Sequence, residues 1–180
     1  MKTTTRRSIT LAIALGVGMS LAAEATGPRE TEALNKATVP LTQAVQIAEK
    51  QEPGKTISAE FDIEKDRPLW EVKVLGNGGV KEYKIDASSG TVMKVEDEHI
   101  RGKLTNFVTG MNLKDLDNAK TSLAQAVNTA EKKMNGKAVK VQVEHERGAI
   151  QYDIFVRASD KTEKVKIDAS TGNPRELETS

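Results

Sequence analysis

Apolar residues follow two different spacings along this chain, and the two alternate in a fixed order. A helical spacing appears between residues 41 and 48 and returns between residues 123 and 130. The positions are Leu41, Ala44, Val45 and Ala48, and then Leu123, Ala126, Val127 and Ala130. After each helix, apolar and polar residues alternate, which is typical of strands with one dry and one wet face. The pattern therefore predicts a helix followed by antiparallel strands, twice.

Three strands follow each predicted helix, and their inward positions correspond. In the first half these positions are Ile57, Ala59, Phe61, Ile63, Trp70, Val72, Val74, Tyr83 and Ile85. In the second half they are Val139, Val141, Val143, His145, Tyr152, Ile154, Val156, Val165 and Ile167. A short fourth strand carries Val95 in the first half and Leu177 in the second. Pro174 suits only an edge strand, because proline cannot donate to a sheet ladder.

The ends of the helices carry their own signals. Pro53-Gly54 and Asn135-Gly136 stop the two helices. Ser122 and Gln125 form a capping box in front of the second helix. Pro40 holds the matching place in the first half, so we expect that helix to begin with proline in its first turn.

The two halves are copies of one unit. Lys84–Gly90 reads KIDASSG and returns 82 positions later as KIDASTG at Lys166–Gly172. At that offset, residues 41–96 align with 123–178 without a gap, and about a third of the positions are identical. Each copy of the motif reads as a strand that enters a tight turn, with glycine supplying a positive φ.

We therefore predict an α+β fold of two tandem repeats, each with one helix packed on an antiparallel sheet of three or four strands. Repeat 1 spans 40–98 and repeat 2 spans 121–180. Residues 26–39 before repeat 1 form a flexible leader, with one marginal turn of helix predicted around Glu30–Lys36. The linker at 99–120 has apolar residues at helical spacing, namely Ile100, Leu104, Phe107, Val108 and Met111. A helix there would either cover apolar surface on one repeat or recognise a partner.

The N-terminus has the pattern of a secretory signal peptide. Basic residues up to Arg7 precede an uncharged run from Ile9 to Ala23, and Ala23-Glu24-Ala25 fits a small-x-small cleavage site. We expect cleavage of residues 1–25 after Ala25, with Ala22 as a second candidate, and a periplasmic or secreted protein. The alternative is an uncleaved membrane anchor, although the run is short of the roughly 20 residues that a spanning helix needs.

Composition narrows the function classes. The formal net charge of +1 argues against a nucleic-acid binder, which normally carries a basic patch. The chain has no cysteine, which excludes disulfides, thiolate nucleophiles and cysteine-ligated metals. Aromatic residues make up 3% of the chain, so the core is mainly aliphatic.

Candidate chemistry is sparse. His145-Glu146 lacks the second histidine of a His-Glu-x-x-His zinc motif, because position 149 is alanine. Asp86 and Asp168 recur, but an aspartate that enters a turn usually accepts backbone N–H bonds. Ser88 and Ser170 have no repeated histidine beside them to act as a base. His99 and His145 are at non-equivalent positions of the two repeats, which does not favour a shared metal site. We therefore predict no catalytic residue, no metal site and no cofactor.

One pattern indicates a contact surface. Phe155 falls on the outer phase of its strand, and Leu69, Leu75, Val80 and Val92 share that phase in repeat 1. An exposed apolar patch rimmed by charges is typical of an interaction site. We predict a partner-contact face formed by Leu69, Leu75 and Phe155; alternatively, the linker or the other repeat covers these residues.

The repeat resembles the PepSY domain. The match lies in three segments of each repeat: Gln43–Lys50, Trp70–Val74 and Lys84–Gly90, then Gln125–Lys132, Tyr152–Val156 and Lys166–Gly172. The resemblance implies a small α+β domain that works outside the cytoplasm. The family occurs in propeptides of secreted thermolysin-like metallopeptidases, with a proposed inhibitory or folding role, and in small exported proteins.

These observations lead to two hypotheses. The first is an exported non-enzymatic module that binds another extracytoplasmic protein through its open sheet face or a free strand edge. In one version of this hypothesis, the partner is a secreted or envelope peptidase that the module modulates or inhibits. It predicts no nucleic-acid partner and no membrane span after signal-peptide cleavage. The second is a periplasmic protein that binds or senses a small ligand or cation in the groove between the repeats.

Overall fold

A computed structural model of the chain describes residues 28–98, 113–146, 148–159 and 161–175. The predicted signal peptide, His99, the apolar residues of the linker and Leu177 lie outside these ranges. The helices are α1 (Pro28–Lys36), α2 (Leu41–Gln51), α3 (Leu113–Asp117) and α4 (Leu123–Met134). The strands are β1 (Gly54–Glu64), β2 (Arg67–Gly76), β3 (Gly79–Asp86), β4 (Val92–Glu98), β5 (Lys137–Glu146), β6 (Ala149–Ala158), β7 (Lys161–Asp168) and β8 (Pro174–Arg175).

All eight strands lie in one antiparallel sheet, in the order β4-β3-β2-β1-β5-β6-β7-β8. This confirms the mixture of helices with antiparallel sheet, but the prediction of a separate sheet for each repeat is wrong. The repeats join where β1 pairs with β5, through Ser58 with Gln142, Ala59 with Val141, and Glu60 with Lys140. Ala59 and Val141 are equivalent positions, 82 residues apart. An approximate two-fold axis therefore passes through their pairing.

The junction gives each repeat what it would lack alone. A single repeat of this size has a marginal core and an unpaired strand edge at β1 or β5. Pairing the two edges satisfies backbone groups in the three-residue stretch where they meet and continues the sheet across both repeats. The ammonium of Lys140 adds an ion pair across the junction, 2.9 Å from a carboxylate oxygen of Glu60.

The two principal helices bury the predicted faces. In α2 the buried residues are Leu41, Ala44, Val45 and Ala48, and in α4 they are Leu123, Ala126, Val127 and Ala130. The capping box of Ser122 with Gln125 is confirmed, and Asn135 ends α4 in the left-handed conformation. Pro40 is not in the first turn as expected, because it is the N-cap residue of α2 with extended backbone.

The leader is more ordered than the sequence suggested. Residues 28–36 form the nine-residue helix α1, and Leu34 is buried in the core. Its counterpart 82 positions later is Leu116 in α3, which is also buried. The structural unit therefore begins one helix earlier than the aligned repeat. A single buried leucine in a polar segment is a weak periodic signal, so the sequence predicted one marginal turn where the structure has a helix of nine residues.

Both leading helices pack across the approximate two-fold axis. On α1, Thr31 accepts a hydrogen bond from the Arg157 guanidinium of β6, with 2.8 Å between the donor and acceptor atoms. On α3, Asp117 forms an ion pair with Lys55 of β1 at 3.1 Å. Each leading helix thus contacts the strands of the other repeat. None of the helices described here combines the length and the apolar character needed to cross a membrane.

The segment that enters each principal helix is held by an aromatic side chain. Trp70 Nε1 donates to the carbonyl of Val39 at 2.9 Å, and Tyr152 Oη donates to the carbonyl of Thr121 at 2.8 Å. The two donors are equivalent positions of the repeats, and so are the two acceptors. Burial raises the pKa of Tyr152 to about 12, so its hydroxyl stays a donor at neutral pH. The aromatic position of the motif therefore fixes the helix entrance.

The glutamate in the helical part of the motif caps the first strand. Glu49 accepts from the backbone N–H of Thr56 at 2.8 Å. Its equivalent Glu131 accepts from the N–H of Ala138 at 2.8 Å. These bonds satisfy donors that lie between helix and strand, where an unpaired buried N–H is costly.

The repeated turn has a structural role in both copies. Asp86 Oδ1 accepts from the N–H groups of Ser88 and Ser89, at 3.0 and 2.8 Å. Asp168 Oδ1 makes the same pair of bonds, with Ser170 at 2.8 Å and the following residue at 3.1 Å. The glycine that closes each turn has a φ of +74°, in the left-handed region that favours glycine.

Charge stabilises these turns. The backbone N–H of Ser89 is the main cause that lowers the pKa of Asp86. The Ser170 hydroxyl, and after it the guanidinium of Arg175, lowers the pKa of Asp168. Because both groups are easier to ionise in the folded protein, the carboxylates stabilise it above about pH 4, and this stabilisation is lost as the pH falls.

Tyr152→Phe tests the aromatic contact. We expect the free energy of unfolding to fall by about 1 kcal/mol, because the Thr121 carbonyl loses its donor. Urea denaturation followed by circular dichroism measures it. The matched control is Tyr83→Phe, whose hydroxyl makes a longer 3.3 Å bond to Glu52 and should matter less. An equal or larger loss in the control would contradict the assignment.

Asp168→Asn tests the charge of the turn, because asparagine keeps an acceptor oxygen but cannot ionise. We expect the variant to be less stable than the wild type at pH 7, and the difference to shrink as the pH falls from about 4 towards 2. Urea midpoints measured across that range check this. The control, Glu163→Gln, removes an exposed carboxylate of β7. A stability difference that does not depend on pH would count against the charge effect.

Candidate functional site

The sequence contains few candidate reactive side chains, and in the structure most of them form hydrogen bonds that stabilise the fold. Asp86 and Asp168 each accept backbone N–H bonds in their turns. His145 is exposed at the end of β5 and lines a cavity of about 260 Å³ with Ser170 and Asp115. The Ser170 hydroxyl donates to Asp168 Oδ1 rather than to a histidine. The sequence pattern did not indicate that this serine and histidine share an opening.

The alternative hypothesis of a bound cation requires a cluster of metal-ligating side chains. Within the described ranges, no group of three or more histidine, aspartate or glutamate residues could hold a metal ion. His99 lies outside those ranges, so its position relative to His145 is not described.

The predicted contact face is less exposed than its pattern indicated. Leu69 is only 2% exposed, and Val80 on the same phase is 3% exposed. Leu75 and Phe155 are half-buried. Leu69 therefore presents almost no surface to a partner, whereas Leu75 and Phe155 retain some. Contact of Leu75 and Phe155 with a partner stays a prediction.

Ion pairs cover much of the outer face of repeat 1, which is the sheet face opposite α2. The ammonium of Lys84 lies 3.0 Å from Glu71 and 3.1 Å from Glu64. The hydrogen bond to Glu71, and after it the one to Glu64, raises the pKa of Lys84 above its ordinary value. Lys73 similarly bridges β3 and β4 through Glu82 and Glu98. The side chains on this face thus mostly pair with one another.

The outer face of repeat 2 has a different composition. Phe155 lies between the ammonium groups of Lys140 and Lys164, each 5.8 Å from the ring centre, a cation–π arrangement. Lys164 also pairs with the buried Asp153 at 2.9 Å. Burial, and after it the charge of Asp153, raises the pKa of Glu144 on the neighbouring strand. The position equivalent to Phe155 in repeat 1 is Lys73, so the two outer faces have diverged.

The large apolar side chains that are exposed lie on an edge strand. Within the described part of the chain they are Met93 and Val95 of β4, at 42% and 49% exposure. Among the described strands, β4 has β3 as its neighbour and forms one end of the sheet. At the other end, β8 has two residues, and the first is Pro174. The sequence pattern placed Val95 on the correct strand but did not show that this strand forms the end of the sheet.

These features define one candidate binding surface, the β4 edge, formed by the backbone of Val92–Glu98 and the side chains of Met93 and Val95. Within the described sheet, β4 is an end strand whose neighbour is β3. An unpaired edge with apolar side chains can accept a further strand from another chain.

Comparison with solved structures finds a crystal structure with limited similarity to this chain. A crystal structure described as a "putative lipoprotein" from Clostridium difficile 630 shares 18% sequence identity with this chain. The match covers 79% of this chain and 93% of that one, with a TM-score of 0.48. No curated protein matches this chain.

A family model matches the chain twice. It is PepSY, the "Peptidase propeptide and YPEB domain", and it matches residues 38–96 and 120–178. The two matches fall on repeat 1 and repeat 2 and together cover more than half of the chain. The family is consistent with a non-catalytic module that works outside the cytoplasm. The Trp or Tyr contact, the glutamate cap and the Asp turn lie within the matched residues, and the chain belongs to the PepSY family as a tandem pair of its domains.

Proposed function

We propose that this protein is an exported, non-catalytic binding module that contacts another periplasmic or secreted protein through its β4 edge. The observation that carries this proposal is the exposure of Met93 and Val95 on the strand at one end of the described sheet. The signal-peptide pattern of residues 1–25 and the PepSY family support a location outside the cytoplasm.

Strand addition explains why an edge would serve better than the outer face. A partner strand beside β4 would form main-chain hydrogen bonds, which provide affinity without much dependence on sequence. Met93 and Val95 would then pack against the partner's side chains and lose their contact with water. On the outer face, by contrast, a partner would have to compete with ion pairs such as Lys84 with Glu71.

We further propose that the partner is a secreted or envelope peptidase whose activity this protein modulates. The family description names peptidase propeptides, which supports that partner class. A peptidase also binds extended segments as strands in its own substrate cleft. An exposed edge strand fits that mode of recognition.

Val95→Asp tests the β4 edge. Val95 is half exposed, so the substitution should change stability by less than about 0.5 kcal/mol. We expect it to reduce, at least several-fold, the recovery of proteins that crosslink to the wild type in the native envelope, because a buried charge would oppose strand addition. Crosslinking followed by mass spectrometry measures the recovery.

Phe155→Asp is the matched control on the outer face. If the edge is the contact, this variant recovers the same partners as the wild type. Loss with Phe155→Asp and not with Val95→Asp would assign binding to the outer face instead. Unchanged recovery with both variants would refute both surfaces.

A peptidase assay tests the partner class. We expect the wild-type protein to slow peptide hydrolysis by a purified metallopeptidase secreted by the same cells, with saturation, and Val95→Asp to have little effect. Initial rates measured against protein concentration give the inhibition curve. Rapid cleavage of the wild-type protein, or an unchanged rate, would reject the peptidase version, while crosslinking still decides whether a protein partner exists.

A further inference from the structure

A cavity of about 380 Å³ lies where α1 meets both repeats. Its apolar wall includes Leu34, Val39 and Trp70, and its polar lining includes Lys137 and Glu131. The volume is at the low end of the range for small-molecule pockets, roughly 300–1,000 Å³. This cavity is separate from the β4 edge, so a ligand bound in it would not depend on the proposed protein partner.

The approximate two-fold symmetry shows what is unusual about Lys137. Its equivalent in repeat 1 is Lys55, which forms an ion pair with Asp117 of α3 at 3.1 Å. The residue equivalent to Asp117 on α1 is Asn35, which has no charge. Around the cavity, the described contact of the Lys137 ammonium is a long one, 3.5 Å from the carbonyl of Leu34.

The other charged group of the lining is already engaged. Glu131 Oε1 accepts the backbone N–H of Ala138 at 2.8 Å, as its equivalent Glu49 does with Thr56 in repeat 1. This bond belongs to the fold of both repeats and is therefore not specific to the cavity. Lys137, in contrast, has no described carboxylate where its equivalent Lys55 has Asp117. The cavity lies on this side of the molecule.

We propose that this cavity binds a small carboxylate with an apolar body. The carboxylate would take the place at Lys137 that Asp117 holds at Lys55. The apolar body would lie against Ala37 and Pro40, the more exposed apolar residues of the lining. Leu34, Val39 and Trp70 form the floor beneath them and are at most 5% exposed. Lys137 is exposed, so its ammonium group lies on the solvent side, where a charged end of the ligand keeps part of its hydration. The arrangement matches the general form of small-ligand sites, which have mostly apolar walls and a few polar groups that fix orientation.

Trp70 supplies a built-in probe, because it is the single tryptophan of the chain and lines the cavity. Octanoate, kept below its micellar concentration, is titrated into the purified protein while tryptophan fluorescence is recorded. Isothermal calorimetry on the same samples provides a second measurement. We expect a saturable fluorescence change and a matching heat of binding.

Two lysine variants distinguish charge recognition from general electrostatics. Lys137→Met keeps the apolar stem and should weaken octanoate binding about tenfold, because it removes a charged hydrogen-bond donor. Lys55→Met breaks the equivalent ion pair in repeat 1 and should leave binding unchanged. Equal weakening in both variants would overturn the assignment to Lys137.

The location and the ligand class need their own controls. Ala37→Phe adds a large side chain at a half-buried residue of the cavity lining and should abolish binding, with thermal melting used to verify the fold. Octanol and octylamine have the same apolar body without the carboxylate and should bind at least about tenfold more weakly than octanoate. Equal or tighter binding of either one would overturn the carboxylate proposal, and so would the absence of both signal and heat with octanoate.

Discussion

The antiparallel pairing of β1 with β5 is the contact on which the arrangement of the whole molecule depends. It joins the two repeats through three residue pairs and turns two small sheets into one of eight strands. Two strand edges that would otherwise be open are satisfied by backbone hydrogen bonds. The same pairing brings α1 beside the strands of repeat 2 and α3 beside those of repeat 1. Without it, neither the long sheet nor the cavity beneath α1 would exist.

The residues that the two repeats share are those that build the domain. The aromatic side chains at 70 and 152 hold the helix entrances, the glutamates at 49 and 131 cap the first strands, and the aspartates at 86 and 168 shape the turns. A family signature of this kind specifies a fold more than an activity. The two repeats differ at other positions, such as Asn35 against Asp117 and Lys73 against Phe155, and these differences give each half its own surface.

Much of the fold could be predicted from the sequence, because helix and strand spacings depend on local burial. The faces of α2 and α4, the strand phases and the capping box at Ser122 all follow from such local signals. The joining of the two sheets could not be predicted in this way, because edge pairing uses backbone groups that every residue has. α1 was underestimated for a related reason: Leu34 is its single fully buried apolar anchor.

The candidate surfaces were harder to predict than the fold. Outer-phase positions such as Leu69 look exposed by alternation, yet the side chain is buried on a central strand. The alternation of apolar and polar residues indicates on which face of the sheet a side chain lies. It does not indicate whether neighbouring side chains cover that side chain. Val95 shows the converse: it has the inward phase, but on an edge strand it is half exposed.

The two ends of the described sheet differ in how well they could accept an added strand. Head-to-tail stacking into a filament requires two complementary open edges on the same molecule. Here one end is the seven-residue β4, while the described part of the other end is a two-residue strand that begins with a proline. Proline lacks the N–H that a neighbouring strand would need as a donor. A strand added beside β8 would therefore lose a main-chain hydrogen bond at Pro174, whereas the residues of β4 are free of this restriction.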